Sequence, residues 1–568
     1  MDVDNILRSL GKYGRYQVLQ LVYNLFCMPL MTYSVVIYVF VGHIPEFKCK
    51  MSRENLTKNF NETHRSYNVT VHSRQCNVIL ETNRSGILTQ ESIPCQDGYE
   101  FFGQETTASE WNLVCGAESL GGMSTTMTVI GQMIGAALFS TLADKYGRLL
   151  ISYTNFIALA LCYVIAAVVP WFSAFVILRL LIGAFSEGAL MTMGTLALEM
   201  FPAESRGFIN YLDSIASTFS ITSISLVAYL LRNESWRYTM LGAGIIGVHS
   251  LATRWILQES LRWLIVNGRY EEAKQWIKRA SRWNKMDPSR ILAKFDSEVQ
   301  SREQTMLVDE NTELTKSEVN GEHTRTVRFH SYRMKEKLSV LDIFRHKQML
   351  RTSMILWVVW FVNSMTYYGL FLLSGTMSGN MYLNFFLNGI VEIPGIFLFW
   401  FFINRYGRRK TCVMFHAIAG VSLILAAVLN FVGDTPVLKG LASAMIFIGK
   451  SMITGSYTTI FIYTPEMYPT NLRALSIGMG SAAGRIGGMV SSFAALFGTY
   501  VPWGPGVVFG SLSLLVTILF QWLPETTGKQ LPNTLQEAMS FSALKDNKKK
   551  DGSDCCRGKY LEYNERYI

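Results

Sequence analysis

Along the chain, long runs of apolar residues alternate with short polar breaks, and the runs are continuous rather than alternating. A bilayer core of about 30 Å needs about 20 mostly apolar residues per helix. Segments of that kind begin near Gln17, Leu120, Leu149, Ala174, Phe208, Trp236, Leu350, Met381, Thr411, Leu438, Leu472 and Trp503. Continuous runs predict helices, whereas barrel strands would alternate apolar and polar residues over about ten positions. The pattern therefore predicts an all-α polytopic membrane protein with twelve transmembrane helices. Two polar segments interrupt it, one after the first helix and one after the sixth.

Short motifs at the helix ends divide the twelve helices in two. Asp144-Lys-Tyr-Gly-Arg148 after helix 2 recurs as Asn404-Arg-Tyr-Gly-Arg408 after helix 8. Glu199-Met-Phe-Pro202 with Arg206 recurs as Glu466-Met-Tyr-Pro469 with Arg473, and Leu257-Gln-Glu259-Ser recurs as Leu523-Pro-Glu525-Thr. Three motifs repeated in order define two six-helix halves. The expected organisation is an N-terminus at 1–16, a first half at 17–258 with an outer loop at 42–117, a linker at 259–348, a second half at 349–523 and a tail at 524–568. The linker reads as polar and poor in core-forming residues.

Parallel halves of this kind resemble the major facilitator superfamily, in which substrate binds between the halves near the bilayer midplane. The loop motif resembles that superfamily's G-x-x-x-[DN]-[RK]-x-G-R, with Ser140 and Trp400 in place of its first glycine. Charged residues at these helix ends (Asp144, Arg148, Glu199, Arg206, Arg408, Glu466 and Arg473) are the expected gating set, making and breaking ion pairs as the halves rock.

Composition then locates the charge. Of 568 residues only 17% are charged, against about 25% in ordinary soluble domains. The formal charge is +10, and it falls in clusters at one set of loops: Arg8, Lys12 and Arg15, then Lys145 and Arg148, then Arg405 to Lys410, and Lys548 to Lys550. Short-loop positive charge marks the cytoplasmic side, which places both termini and the linker inside. This topological signal explains the basic clusters without nucleic acid. No cleavable signal precedes the first helix, which reads as a retained anchor.

The outer loop carries four N-x-[ST] acceptors, at Asn55, Asn61, Asn68 and Asn83, and four cysteines, Cys49, Cys76, Cys95 and Cys115. Both features suit an oxidising, glycosylating compartment, and two disulfides with any of three connectivities are possible. A plasma-membrane location follows as an expectation. No metal-ligand spacing, phosphate loop or catalytic constellation appears, so neither an enzyme nor a cofactor is expected. Coupling to Na+ is left open by the residues, as is the oligomeric state.

Ionisable residues within spans are costly and default to function. Glu187, Glu392, Lys450 and Arg485 lie deepest, and the competing expectation is that they lock the bundle by pairing, for example Glu392 with Arg485. Trp360 and Tyr367 are seven apart on helix 7 and share a face. An aromatic face holds an organic cation by cation–π attraction, about 2 kcal/mol or more when desolvated.

Further strings narrow the resemblance: Thr82-Asn-Arg-Ser85, Pro94-Cys-Gln-Asp-Gly98, Glu110-Trp-Asn-Leu-Val-Cys115, Glu259-Ser-Leu-Arg-Trp-Leu264, Ser378-Gly-Asn-Met-Tyr-Leu383 and Val391-Glu-Ile-Pro-Gly395. Together with the repeated motifs, they resemble the organic cation/carnitine transporter branch of the organic ion transporter family, nearly end to end. That resemblance implies that Trp360 and Tyr367 match aromatic residues of the cation site and Glu392 its acidic residue. The chain departs from the pure cation branch, which has Asp at the place of Arg485, and Glu187 stands where some members have Lys. Four outer-loop cysteines are also fewer than in vertebrate members. The mixed signs favour a small organic cation or a carnitine- or betaine-like zwitterion moved by alternating access, with substrate contacts from Trp360, Tyr367, Glu392, Arg485, Glu187 and Lys450. An organic anion exchanger or a non-transporting sensor on the same fold is the alternative.

Overall fold

The computed structural model describes residues 3–50, 69–73, 76–84, 87–95, 97–300, 340–433, 435–529, 531–532 and 534–543. The first half contains α1 (Arg15–Val36), α2 (Ser119–Tyr146), α3 (Arg148–Val168), α4 (Phe172–Glu199), α5 (Arg206–Leu230) and α6 (Trp236–Ile246). The second contains α7 (Lys347–Leu372), α8 (Met381–Tyr406), α9 (Arg408–Val432), α10 (Pro436–Glu466), α11 (Arg473–Ser491) and α12 (Gly504–Phe520). Every span starts within three residues of its sequence expectation.

Four spans are less apolar or shorter than the other eight, and each has a local reason. The Ser and Thr side chains that lower the hydropathy of α5 include Thr218, Ser220, Thr222 and Ser225, all buried inside the protein rather than turned to lipid. Glycine and Arg485 do the same in α11, while α6 reaches Ile256 only through the 3-10 turns of Gly247–Ala252. The seventeen residues of α12 are simply few.

Breaks in the long helices fall where the sequence demands them. A proline lacks an N–H and clashes with the carbonyl four residues back. Pro29 follows the interruption of α1 at Cys27, and Pro394 follows the interruption of α8 at Val391. The second break opens a new helical segment whose first turn contains Glu392.

Small residues let helices approach closely where lipid supplies no hydrophobic drive. A Cβ on Gly131 would lie 1.9 Å from the Leu180 carbonyl oxygen, and one on Gly183 2.0 Å from that of Thr128, so α2 and α4 meet backbone to backbone. In the second half the corresponding contact joins α8 and α10, where a Cβ on Gly395 would lie 2.2 Å from the Ser451 carbonyl oxygen. One core lies in the first half around Phe156, Phe175 and Trp236, and another in the second around Trp360, Tyr463 and Phe520.

The linker corrects the sequence reading over its first part. Leu261, Trp263, Leu264, Trp276, Ile277 and Phe295 build a third core with Ile6, Leu7 and Leu10 of the N-terminus. A polar average hid it, because the helix Tyr270–Asn284 buries one stripe and exposes the rest.

At the opposite end of the bundle, the loop after α1 adds two small antiparallel sheets to the helical fold. β1 (Glu46–Cys49) pairs with β5 (Tyr99–Phe102), and β3 (Asn77–Arg84) lies between β2 (Val69–Ser73) and β4 (Ile87–Pro94). Disulfides join Cys49 to Cys95 and Cys76 to Cys115, selecting one of the three connectivities. Asn83 lies in β3 opposite Leu88. Asn55, Asn61 and Asn68 lie outside the described residues.

Gly183→Ala should lower stability by about 1–3 kcal/mol, because backbone rather than a movable side chain opposes the methyl group. Gly207→Ala, which meets open space, should leave it unchanged or slightly higher. Thermal melting of detergent-purified protein followed by size-exclusion fluorescence distinguishes them. Equal melting temperatures would contradict the close-packed α2–α4 contact.

Candidate substrate site

Glu187, Glu392 and Lys450 are almost wholly buried, at 2%, 3% and 0% exposure. A charge at that depth has lost its hydration, and a counter-ion is its strongest compensation. The structure supplies one to each, but not by the expected partnership of Glu392 with Arg485. Glu392 pairs with Lys450, Nζ to Oε1 at 3.0 Å, and Arg485 pairs with Glu187.

Lys450 is threaded into an aromatic enclosure. Its ammonium lies 3.2 Å from the centroid of the Tyr367 ring and 3.7 Å from that of Phe371, and it donates to the Tyr367 carbonyl oxygen at 3.2 Å. Thr218 of α5 donates to the other Glu392 oxygen at 3.0 Å. The break in α8 adds to this, because an anion in the first turn of a helix faces the positive end of its dipole. Two aromatic faces, a carboxylate and a carbonyl oxygen thus surround one ammonium group.

The second pair crosses the molecule. Arg485 stands on α11 and Glu187 on α4, so their contact ties the two halves together. Arg485 also donates to Gln132 Oε1 of α2 at 2.6 Å, and Gln132 donates to Ser34 of α1 at 3.3 Å. Gln132 therefore extends the Arg485 contact to two further helices of the first half.

Trp360 and Tyr367 do share a face, and Tyr457 of α10 joins them. Its ring lies 5.8 Å from that of Trp360 and 5.7 Å from that of Tyr367, and its hydroxyl shares a 2.9 Å hydrogen bond with Ser364. Trp360 itself is fully buried and donates from Nε1 to Thr464 at 3.0 Å. Gly480 of α11 makes room for it, since a Cβ there would lie 2.5 Å from the indole nitrogen. Trp360 therefore braces the aromatic wall, while Tyr367 meets the charged pair.

Sequence reasoning missed Tyr457, Phe371, Gln132 and Thr218. Phe371 is four residues beyond Tyr367 and Tyr457 seven beyond Lys450, so helical spacing could have found both. Gln132 and Thr218 are neutral polar residues among many, with no local signal.

The motif residues at the basic end hold a repeated design. Glu259 accepts the backbone N–H groups of Arg148 and Leu149, both at 3.0 Å, and Glu525 accepts those of Arg408 and Arg409 at 2.9 and 3.1 Å. Arg148 pairs with Asp144 at 3.0 Å and Glu199 at 3.4 Å, and Arg408 pairs with Glu466 at 3.3 Å. Arg206 instead lies 3.9 Å from Asp4, and Arg473 donates to the carbonyl oxygens of Tyr468 and Pro532.

Those ion pairs each stay within one half or its flanking segments. Contacts between halves are found near the disulfides: the Phe40 and Tyr382 rings stack at 5.5 Å, and Tyr500 donates to Glu118 at 2.7 Å. The halves are thus joined at the disulfide end and across the middle, where Glu187 meets Arg485 and Thr218 meets Glu392, and the Tyr211 ring of α5 also lies 6.1 Å from the Phe397 ring of α8.

Comparison with known proteins agrees with this architecture. The family profile described as "Sugar (and other) transporter" matches residues 55–537. The chain is 29% identical over 555 residues to the organic cation transporter protein of Drosophila melanogaster, covering 95% of each. It is 30% identical over 458 residues to solute carrier family 22 member 7 of Bos taurus, covering 80% of this chain and 77% of that protein. Among solved structures, the inward-open xylose transporter XylE from E. coli superimposes with a TM-score of 0.56 at 16% identity, over 92% of this chain and 98% of that one. A second D-xylose–proton symporter structure gives 0.57 at 14% identity, over 91% of this chain and all of the other.

Removing one member of the crossing pair strands the other charge, a loss of about 3–5 kcal/mol for a buried pair. Glu187→Gln and Arg485→Gln should each lower the melting temperature more than half as much as the double substitution does. Additive losses would show that the two side chains are not coupled.

Proposed function

Taking as premise that the chain belongs to the sugar (and other) transporter family and, within it, to solute carrier family 22, we propose that it carries small organic cations and carnitine- or betaine-like zwitterions by alternating access. The chain is a multi-pass membrane transporter, not an enzyme. One observation carries the finer reading: the enclosure of Tyr367, Phe371 and Glu392 already holds an ammonium group, that of Lys450. A substrate ammonium presents the same charge to the same faces and competes for that place.

The competition favours a zwitterion. Two cations and two carboxylates leave the set formally neutral, so a net-neutral substrate leaves no protein charge stranded. Its ammonium replaces Lys450 at Glu392, and its carboxylate bridges the released Lys450 and Arg485, whose fork grips a carboxylate well. Engaging Arg485 weakens the tie to Glu187 between the halves. The substrate thereby lowers the cost of rocking the half at 17–258 against that at 349–523. A simple organic cation engages only the aromatic and carboxylate part. An anion would meet Lys450 and Arg485 together with their carboxylates, which is why we place it second.

The basic end is cytoplasmic, as are both termini and the linker. The disulfide-bonded loop, glycosylated at Asn55, Asn61, Asn68 and Asn83, faces outward from the plasma membrane. Asp144, Arg148, Glu199, Arg206, Arg408, Glu466 and Arg473 act at the cytoplasmic gate.

Cells expressing the protein should accumulate labelled carnitine or tetraethylammonium above background, and uptake of neither would overturn the reading. Glu392→Gln should cut both by about tenfold or more, the loss of about 1.4 kcal/mol of binding. Arg485→Ala should reduce carnitine uptake more than tetraethylammonium uptake, and Lys450→Met should spare tetraethylammonium relative to carnitine. Equal losses for both substrates in the two cation variants would rule out the divided-charge site.

A further inference from the structure

A second charged feature lies far from the central site, at the foot of α1 and α6. A cavity of about 450 Å³ opens there, lined by Gln258, Gln275, Lys278, Arg279, Arg282 and Trp283. Three of its six lining residues are cations, and none is a carboxylate. The helix Tyr270–Asn284 presents them from its exposed face, while Ala273, Trp276, Ile277 and Ala280 fasten the opposite face to the third core.

Among the described residues no carboxylate forms an ion pair with Lys278, Arg279 or Arg282. Neighbouring charges on the same helix are already engaged: Lys274 pairs with Glu271 and Asp296, and Glu272 with Arg269. The wall is held in place. Tyr16 donates to Gln258 at 2.6 Å, its ring lies 5.6 Å from that of Trp276 and 6.4 Å from that of Trp283, and Asn284 donates to Gln17 at 2.9 Å.

The spans that rise from this end, α1 and α6, present exposed apolar side chains. Val18, Leu19, Val22 and Phe26 of α1 are exposed, as are Trp255 at 72% and Val266 at 75%. Exposed tryptophans at the end of a span mark the headgroup level, and basic pockets beside spans bind phosphorylated headgroups. A ligand fitting both surfaces has a phosphate at one end and hydrocarbon at the other.

We propose that this cavity is a binding site for an anionic phospholipid, with the headgroup phosphate between Lys278, Arg279 and Arg282 and the acyl chains along the apolar faces of α1 and α6. The site rests on the reading above only in taking the basic end to face the cytoplasmic leaflet, where anionic lipids are enriched. Because the helix bearing the cations packs on both the N-terminus and the foot of α1, an occupied headgroup fastens the third core to the first half.

The test is lipid retention, read by native mass spectrometry of the full-length protein from nanodiscs of phosphatidylcholine with phosphatidylserine or phosphatidylinositol bisphosphate. This readout is independent of transport, and nanodiscs with the same lipids in both leaflets make it independent of orientation. Wild type should retain the anionic lipids over phosphatidylcholine. Arg282→Gln should weaken retention about fivefold, and Lys278→Gln with Arg279→Gln and Arg282→Gln should reduce it by about that factor for each charge removed. Lys274→Gln, whose partners are acidic, should match wild type. Undiminished retention in a triple variant that elutes as a single folded species would overturn the site, as would equal retention of phosphatidylcholine. Glycerophosphoinositol bisphosphate, the same headgroup without chains, should compete poorly. Competition equal to that of the whole lipid would assign the cavity to a soluble phosphate instead.

Discussion

Four of the charges held among the membrane helices neutralise one another in two pairs, and much of the central architecture serves that requirement. A fifth, Arg179 of α4, is wholly buried and is held instead by the Ser34 carbonyl oxygen and the Tyr38 ring. Each pair needs its helices at contact distance. The glycine contact between α8 and α10 brings together the helices of Glu392 and Lys450, and that between α2 and α4 sets Gln132 beside Glu187, where both meet Arg485. The break before Pro394 then turns Glu392 into the first turn of a helical segment, where backbone dipoles also favour its charge.

The two halves repeat one another at the basic end but not at the centre. Glu259 and Glu525 accept equivalent backbone N–H groups, and Arg148 and Arg408 reach equivalent glutamates. At the centre, Lys450 and Glu392 both belong to the second half, whereas Glu187 and Arg485 belong to different halves. The symmetric part suits a movement in which each half keeps its own shape. In the proposed function the asymmetric part joins charge recognition to that movement, because one pair shapes an ammonium enclosure and the other spans the two halves.

How much of this was legible depended on the range of the signal. The fold was: twelve spans, two halves and the matched motifs follow from periodicity and repetition, which are local properties. Glu187, Glu392, Lys450 and Arg485 were legible as well, because charge inside an apolar run is conspicuous. Their partners were not. Arg485 lies 93 residues from Glu392 and 298 from Glu187, and spacing along the chain says nothing about which is nearer in space. The third core was misread for a related reason, since its apolar stripe is diluted by the charged face of the same helix.

By itself, then, the sequence determined what the membrane enforces: helices long enough to cross, charge gathered at one side, and a few ionisable residues retained at depth. It also determined where helices break, since proline acts on its own backbone. Only the tertiary structure decided that Lys450 sits between Tyr367 and Phe371, that Arg485 crosses to Glu187, and that Cys49 meets Cys95. Those outcomes depend on which helices come into contact and at what rotation, and such choices are made by packing over the whole bundle rather than by any stretch of the chain.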